Sequence, residues 1–282
     1  LKAGAFAGRD ERPYLTVAGL RADLARLGLA TGDIVLVHAA CSRVGRVLGG
    51  PDGIIAALLG TVGPAGTLMA VLDWDTPWEV LRDDRGRPPE RWRPEIAPFS
   101  AGTTRAARKN GVLPEFLRTT RGACRSDNPG ASVVALGAYA ADLTRDHALD
   151  YGYGPDSPFD RLVRLEGKVL LLGAPFGSTT LLHHAEHLAQ LPDKRIDRKE
   201  LPIATPGGTI WRMSEEFETG EAVAPCLPPN SFSWIVRDYV AAGHGRQGRV
   251  GEAPSLLLNA GTLVPFAVAW MEDWAARHAD VD

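Results

Sequence analysis

The stretch "DIVLVHAACSRVGRVLGGPDGIIAALLGTVGPAGTLMAVLD", residues 33–73, decides the fold class. "DIVLVH" is a compact β-branched run, as expected of a strand buried on both faces, and it ends at His38. A glycine-bearing turn leads into the apolar helix "IIAALLGTV", and "GTLMAVLD" is a second buried strand ending at Asp73. Strand, helix and strand in this order make a βαβ unit, whose crossover leaves the two strands parallel. Upstream, "TVAGLRADLARLGL" sets Val17, Leu20, Leu24 and Leu27 on one helical stripe, with Thr16 as N-cap.

Downstream, "VLPEFLRTT", "AYAADLTR" and "SPFDRLVRL" read as helices, the last capped by Ser157 with Pro158 in its first turn. "SVVALG" and "KVLLLG" read as strands, and "STTLLHHAEHLAQL" as a helix capped by Ser178 or Thr179. "KRIDRKELPIA" and "GTIWRM" form a predicted hairpin. "SFSWIVRDYVAAG" is an amphipathic helix, "RVGEAPSLLLN" a strand and "AGTLVPFAVAWMEDWAARH" a last helix. No repeat or linker interrupts them. The expected fold is α/β, a single domain over residues 14–282 with a central mixed β-sheet flanked by helices. Residues 1–13 are expected to be a flexible N-terminus. Residues 74–110, rich in Trp, Pro and charge, are expected to be a long active-site loop.

The 282 residues are 45% hydrophobic and 23% charged, within the globular range, and the net charge of −3 argues against a nucleic-acid partner. Cys41, Cys124 and Cys226 are far apart and form no Cys-x-x-Cys pair. A disulfide scaffold is therefore not expected, and a cytoplasmic location is. The longest apolar runs are too short to span a bilayer, so no membrane partner is expected.

"LLHHAEHLA", residues 181–189, carries the pattern H-x-x-E-H at His183, Glu186 and His187. Histidines four apart on a helix share a face and could hold zinc, but a catalytic zinc also needs a third protein ligand. In a plainer reading the helix has a polar stripe, with His187 at the surface and His183 or His184 partly buried. Position favours function. The helix follows "KVLLLGAP", and the carboxyl end of such a strand is where α/β folds place ligands. Its first backbone N–H groups would be open to an anion.

"LLGAPFGSTTLLHHAEHLA" resembles the "LLLGxxxxxxTxLHxAE" signature of the aminoglycoside 3-N-acetyltransferase family. Residues 33–69 are similar to that family's opening "VHxSxxxxGxVxGGxxxVIxALxxAVGxxGTLM". "CRSDNPGASVVALG", "DYGYGPDSPFDRLV" and "IVRDYVAAGHGRQGRVGEA" resemble its later blocks, in the same order. The resemblance spans roughly residues 16–275. It implies a fold distinct from the other large acetyltransferase superfamily. It also implies acetyl transfer from acetyl-CoA, as co-substrate, to the 3-amine of the 2-deoxystreptamine ring of aminoglycoside antibiotics, with no metal.

By position, His183 takes the place of the catalytic histidine and Glu186 that of its partner. Glu186 stands at i+3 on the same helix face, where it can orient the imidazole or stabilise its cation. An aminoglycoside ammonium must lose a proton before it attacks a thioester, and imidazole titrates in the useful range. On the cofactor side the resemblance points to His38, Ala39, Ala40, Val44, Gly45, Gly49, Gly50 and Ser126. Ala40 stands where the family usually has Ser. On the substrate side, Trp74, Asp75 and Glu79 are expected to form an acidic wall with Glu216 and Glu218, and Glu218 stands where the family usually has Asp. "GRQGRVG", residues 245–251, reads as a basic turn. Monomer and homodimer are both open. So are acetylation of another amine metabolite, drug binding without turnover, and a zinc-dependent hydrolase on the H-x-x-E-H helix.

Overall fold

The computed structural model describes residues 13–278. All but the last residue of the predicted flexible segment 1–13 lies outside them.

Thr16 caps α1 (Val17–Leu27) as expected, its hydroxyl accepting the Gly19 N–H. The βαβ unit follows as read: β1 (Ile34–Ala39), a short α2 (Cys41–Val44), α3 (Gly50–Val62) and β2 (Thr67–Val71), with β1 and β2 paired in parallel. After the 74–110 segment come α4 (Leu113–Thr119), β3 (Cys124–Arg125), β4 (Val133–Gly137), α5 (Ala140–Thr144), α6 (Pro158–Arg164), β5 (Lys168–Leu172) and α7 (Leu182–Leu188). A long hairpin, β6 (Ile196–Thr205) and β7 (Gly208–Phe217), precedes α8 (Ser231–Ala241), β8 (Arg246–Val250), β9 (Ala253–Asn259) and α9 (Ala260–His278).

Seven strands form the main sheet in the order β3-β4-β2-β1-β5-β9-β8. β1 runs parallel to β2 and β5, and the outer pairings are antiparallel, so the sheet is mixed as expected. Two corrections concern its edges. The predicted strand "RVGEAPSLLLN" folds back on itself as β8 and β9, and most of the predicted basic turn is β8. Its exposed residues pair through backbone, which charged side chains do not hinder. The two-residue edge strand β3 was not foreseen.

Each face of the sheet carries its own core. Val35 and Val37 point into a cluster with residues of α1, α3 and α4. Ile34 and Leu36 point into the other, built with α5 to α9. Strand alternation puts His38 on this second face. No helix among the described residues is long and apolar enough to cross a membrane.

Residues 74–110 are anchored rather than loose. Two short 3₁₀ turns, Pro77–Leu81 and Glu90–Glu95, flank the contacts with the β6–β7 arm, and a third, Arg108–Asn110, returns to Leu72, Asp73 and Asp75. Phe99 exchanges backbone hydrogen bonds with Pro202 and Ala204, both 2.8 Å. Arg82 pairs with Asp197 and Arg93 with Glu200. Gly86, at φ 75°, lies so close to the arm that a Cβ would stand 1.9 Å from the Arg198 carbonyl oxygen.

Candidate active site

β1 runs parallel to β2 and β5, so their carboxyl ends share one edge of the sheet, and the chain leaves β5 there towards α7. α7 differs from its sequence reading. It has seven residues, no side chain caps it, and the Thr179 hydroxyl donates back to the Phe176 carbonyl at 2.7 Å. Its first N–H groups are used: Leu182, His183 and His184 donate to the carbonyls of Thr179, Thr180 and Leu181. The expected anion seat at this helix start is therefore closed.

His183 and Glu186 are brought together. Nδ1 of His183 lies 2.7 Å from Oε2 of Glu186, whose side chain is only 3% exposed. With Nδ1–H donated to the carboxylate, Nε2 keeps its lone pair. The imidazole is held by Tyr153, with centroids 4.9 Å apart, and by Phe232 at 4.8 Å. His183 and Glu186 border a cavity of about 520 Å³ lined also by Arg195, Leu227, Asn230 and Phe232.

The other two histidines of the helix do separate work. Nδ1–H of His184 donates to the Tyr153 carbonyl at 2.8 Å, and burial pushes His184 below the usual imidazole range. His187 is not at the surface. Its side chain is 6% exposed, and Nε2 meets Oε1 of Glu216 at 2.7 Å. His183 and His187 thus face different carboxylates. Among the described residues, no group of three or more His, Cys, Asp or Glu is placed to hold a metal ion.

Tyr153 and Tyr151 were not singled out from sequence. They sit on a loop fixed from below by the "RSDNP" block. Asn128 accepts the N–H groups of Gly130 and Ala131 and donates to the carbonyls of Ala148 and Leu149. Ser126, expected at the cofactor, is fully buried: Oγ accepts the Val133 N–H at 3.0 Å and pairs with His147 Nδ1 at 2.9 Å. Nε2–H of His147 donates to the Gly152 carbonyl at 2.7 Å, so Nδ1 is the acceptor of the Ser126 hydroxyl proton. Burial pushes His147 down to about 4.

The expected cofactor residues divide. Val44 is fully buried in the core, and a Cβ on Gly45 would meet Glu252 and Leu15, so both pack against the chain itself. Ala39 rests on the same core, and the Ala40 N–H donates to Leu172. Gly49 and Gly50 adopt positive φ in an exposed turn at the start of α3. His38 lies near the end of β1, on the Ile34 and Leu36 face of the sheet. Its Nε2 is buried without a partner, and burial pushes the imidazole down to about 4.

The acidic wall is narrower than expected. Asp75 is taken by Arg108, which reaches it through its backbone N–H at 3.1 Å and Nε at 2.7 Å. Glu79 lies 3.5 Å from Lys199 and 3.9 Å from Arg82, so it ties the arm down. Trp74 packs with Trp78 and Phe99. Glu218 accepts the Gly220 N–H in its own turn. Asp73, the first carboxylate of the same "LDWDTPWE" stretch, is more deeply set. It is 8% exposed in the left-handed region at φ 48°, with Oδ2 near Lys109 and Asn110 and Oδ1 buried and unpartnered.

The aminoglycoside 3-N-acetyltransferase family pattern matches residues 36–272. Aminoglycoside N(3)-acetyltransferase III of Pseudomonas aeruginosa is 44% identical over 246 residues, covering 87% of this chain and 89% of the relative. Aminoglycoside N(3)-acetyltransferase VII of Streptomyces paromomycinus is also 44% identical, with 96% of each chain covered. A solved binary complex of AAC-IIIb with CoASH is 57% identical, with a TM-score of 0.91 over 93% of this chain and 97% of that one. Sisomicin-bound AAC-VIa, solved at room temperature by neutrons and X-rays, is 33% identical, with a TM-score of 0.87 over 94% and 100%.

Proposed function

The chain belongs to the aminoglycoside 3-N-acetyltransferase family, and on that premise we propose that it moves acetyl from acetyl-CoA to the 3-amine of the 2-deoxystreptamine ring, with His183 as general base. One observation carries the base assignment: the His183 imidazole, anchored through Nδ1 to buried Glu186, leaves Nε2 free at the edge of a cavity.

The chemistry follows from that geometry. Nε2 of His183 takes a proton from the acceptor ammonium, and the freed amine attacks the thioester carbonyl. Glu186 stabilises the resulting imidazolium through a charge-assisted hydrogen bond. The tetrahedral intermediate gives up its second N–H proton to solvent and collapses, expelling the CoA thiolate, so no residue of the chain is acylated. The thiolate can recover its proton from the imidazolium. The CoASH complex of a relative 57% identical supports acetyl-CoA as co-substrate. His38 and Ala40 at the end of β1, with the Gly49–Gly50 turn further out, remain its candidate contacts. Asp73, Glu216 and Glu218 are the carboxylates offered to a polycationic acceptor, and sisomicin on AAC-VIa supports that class.

Thiol release from acetyl-CoA with sisomicin as acceptor tests this reading. His183→Ala should lower kcat by about 10²–10⁴ while acetyl-CoA binding stays near wild type. Retention of more than about half of kcat would refute the base assignment.

A further inference from the structure

We propose that His187 is a positioning residue that fixes the Glu216 carboxylate as a seat for the amine-bearing substrate, an inference that rests on the acetyl-transfer reading above. Glu216 stands on the β6–β7 arm, whereas His183 stands on α7. Something must hold arm and helix in register if a carboxylate on one is to present a substrate to a base on the other. His187, one helical turn beyond His183, makes that connection at 2.7 Å.

The ring has little freedom. It meets Phe217 at 4.7 Å and Tyr151 at 5.9 Å between centroids, and a Cβ on Gly154 would come within 3.0 Å of its Nδ1. The carboxylate is equally restrained. Oε1 accepts from His187 Nε2 and, at 2.8 Å, from the Phe217 N–H, while Oε2 accepts from the Tyr153 N–H at 3.3 Å. Oε1 is thus saturated, and Oε2 keeps an acceptor position for an ammonium. Tyr153 joins the two parts, since its N–H is on Glu216 and its ring is on His183. A carboxylate placed by donors it already holds needs no reorganisation when the cation arrives.

Removing the ring should therefore weaken the amine substrate and spare acetyl-CoA. With steady-state kinetics, His187→Ala should raise KM for sisomicin about tenfold, the scale of one charge-assisted hydrogen bond. KM for acetyl-CoA should stay within about twofold of wild type. His187→Gln keeps an N–H donor at similar reach and should recover most of the loss. An unchanged sisomicin KM in His187→Ala, an equal rise in both KM values, or no recovery in His187→Gln would overturn the proposal. If His187→Ala does not fold, Glu216→Gln replaces it and must raise the sisomicin KM alone. If wild type binds sisomicin but releases no thiol, acetyl transfer fails as a reading. Calorimetric Kd values then decide on His187: weakening in His187→Ala with recovery in His187→Gln supports it, and equal values overturn it. A wild type that does not bind sisomicin overturns both.

Discussion

Acidification should loosen this fold well above the carboxylate range, and His147 should account for a defined part of the loss. The imidazole lies 7% exposed between Ser126 and Gly152, and burial pushes it down to about 4 from an ordinary 6.5. A histidine whose pKa falls on folding is favoured neutral, so the unfolded chain binds its proton first. Its cost is absent above the unfolded value, grows as pH falls from about 6.5, and levels off near 4. From about pH 7 to about pH 5, one such group removes about 2 kcal/mol. His38 and His184 act in the same direction. Urea unfolding followed by tryptophan fluorescence can measure this at several pH values. His147→Gln, which retains a donor and an acceptor, should lose about 2 kcal/mol less than wild type over that interval. Equal losses in the two proteins would refute a buried neutral His147 beneath the Tyr153 loop.

Other outcomes follow from single contacts. Arg118 holds the Glu115 carboxyl down to about 2, so its contribution is present above about 4.5 and is lost as pH falls towards 2. Glu115→Gln should flatten acid unfolding in that window, read by circular dichroism. Gly152→Ala would put a Cβ 2.4 Å from Asn128 Nδ2, and urea unfolding should show a loss of about 1–3 kcal/mol. Glu186→Gln should lower kcat by about tenfold to a hundredfold with acetyl-CoA KM unchanged, because a neutral amide stabilises the imidazolium less.

The βαβ unit was legible because its strands are short apolar runs with no competing pattern, and His183 with Glu186 was legible from the family resemblance, the i,i+3 spacing adding only that both share one helix face. What escaped lies in partners distant in sequence. Asp75 and Glu79 read as open acids, since nothing local announces that Arg108 and Lys199 fold onto them. Ser126 read as polar and available, yet it is buried with its hydrogen bonds satisfied. The repeated Tyr-Gly of "DYGYGPDSP" was the one signal for Tyr151 and Tyr153, and it carries no chemical motif. α7 was read too long because apolar periodicity does not reveal that threonine hydroxyls bond back to preceding carbonyls. β8 was hidden by its composition: an exposed edge strand needs only backbone to pair.

The nitrogen that is acetylated decides the reaction assigned to this site. Sisomicin and acetyl-CoA are incubated with the protein, and the product is assigned by two-dimensional NMR. One acetyl group is expected, on the 3-amine of the deoxystreptamine ring, formed by wild type and not by His183→Ala. Acetylation at another nitrogen, or a product whose yield is indifferent to His183, would contradict it.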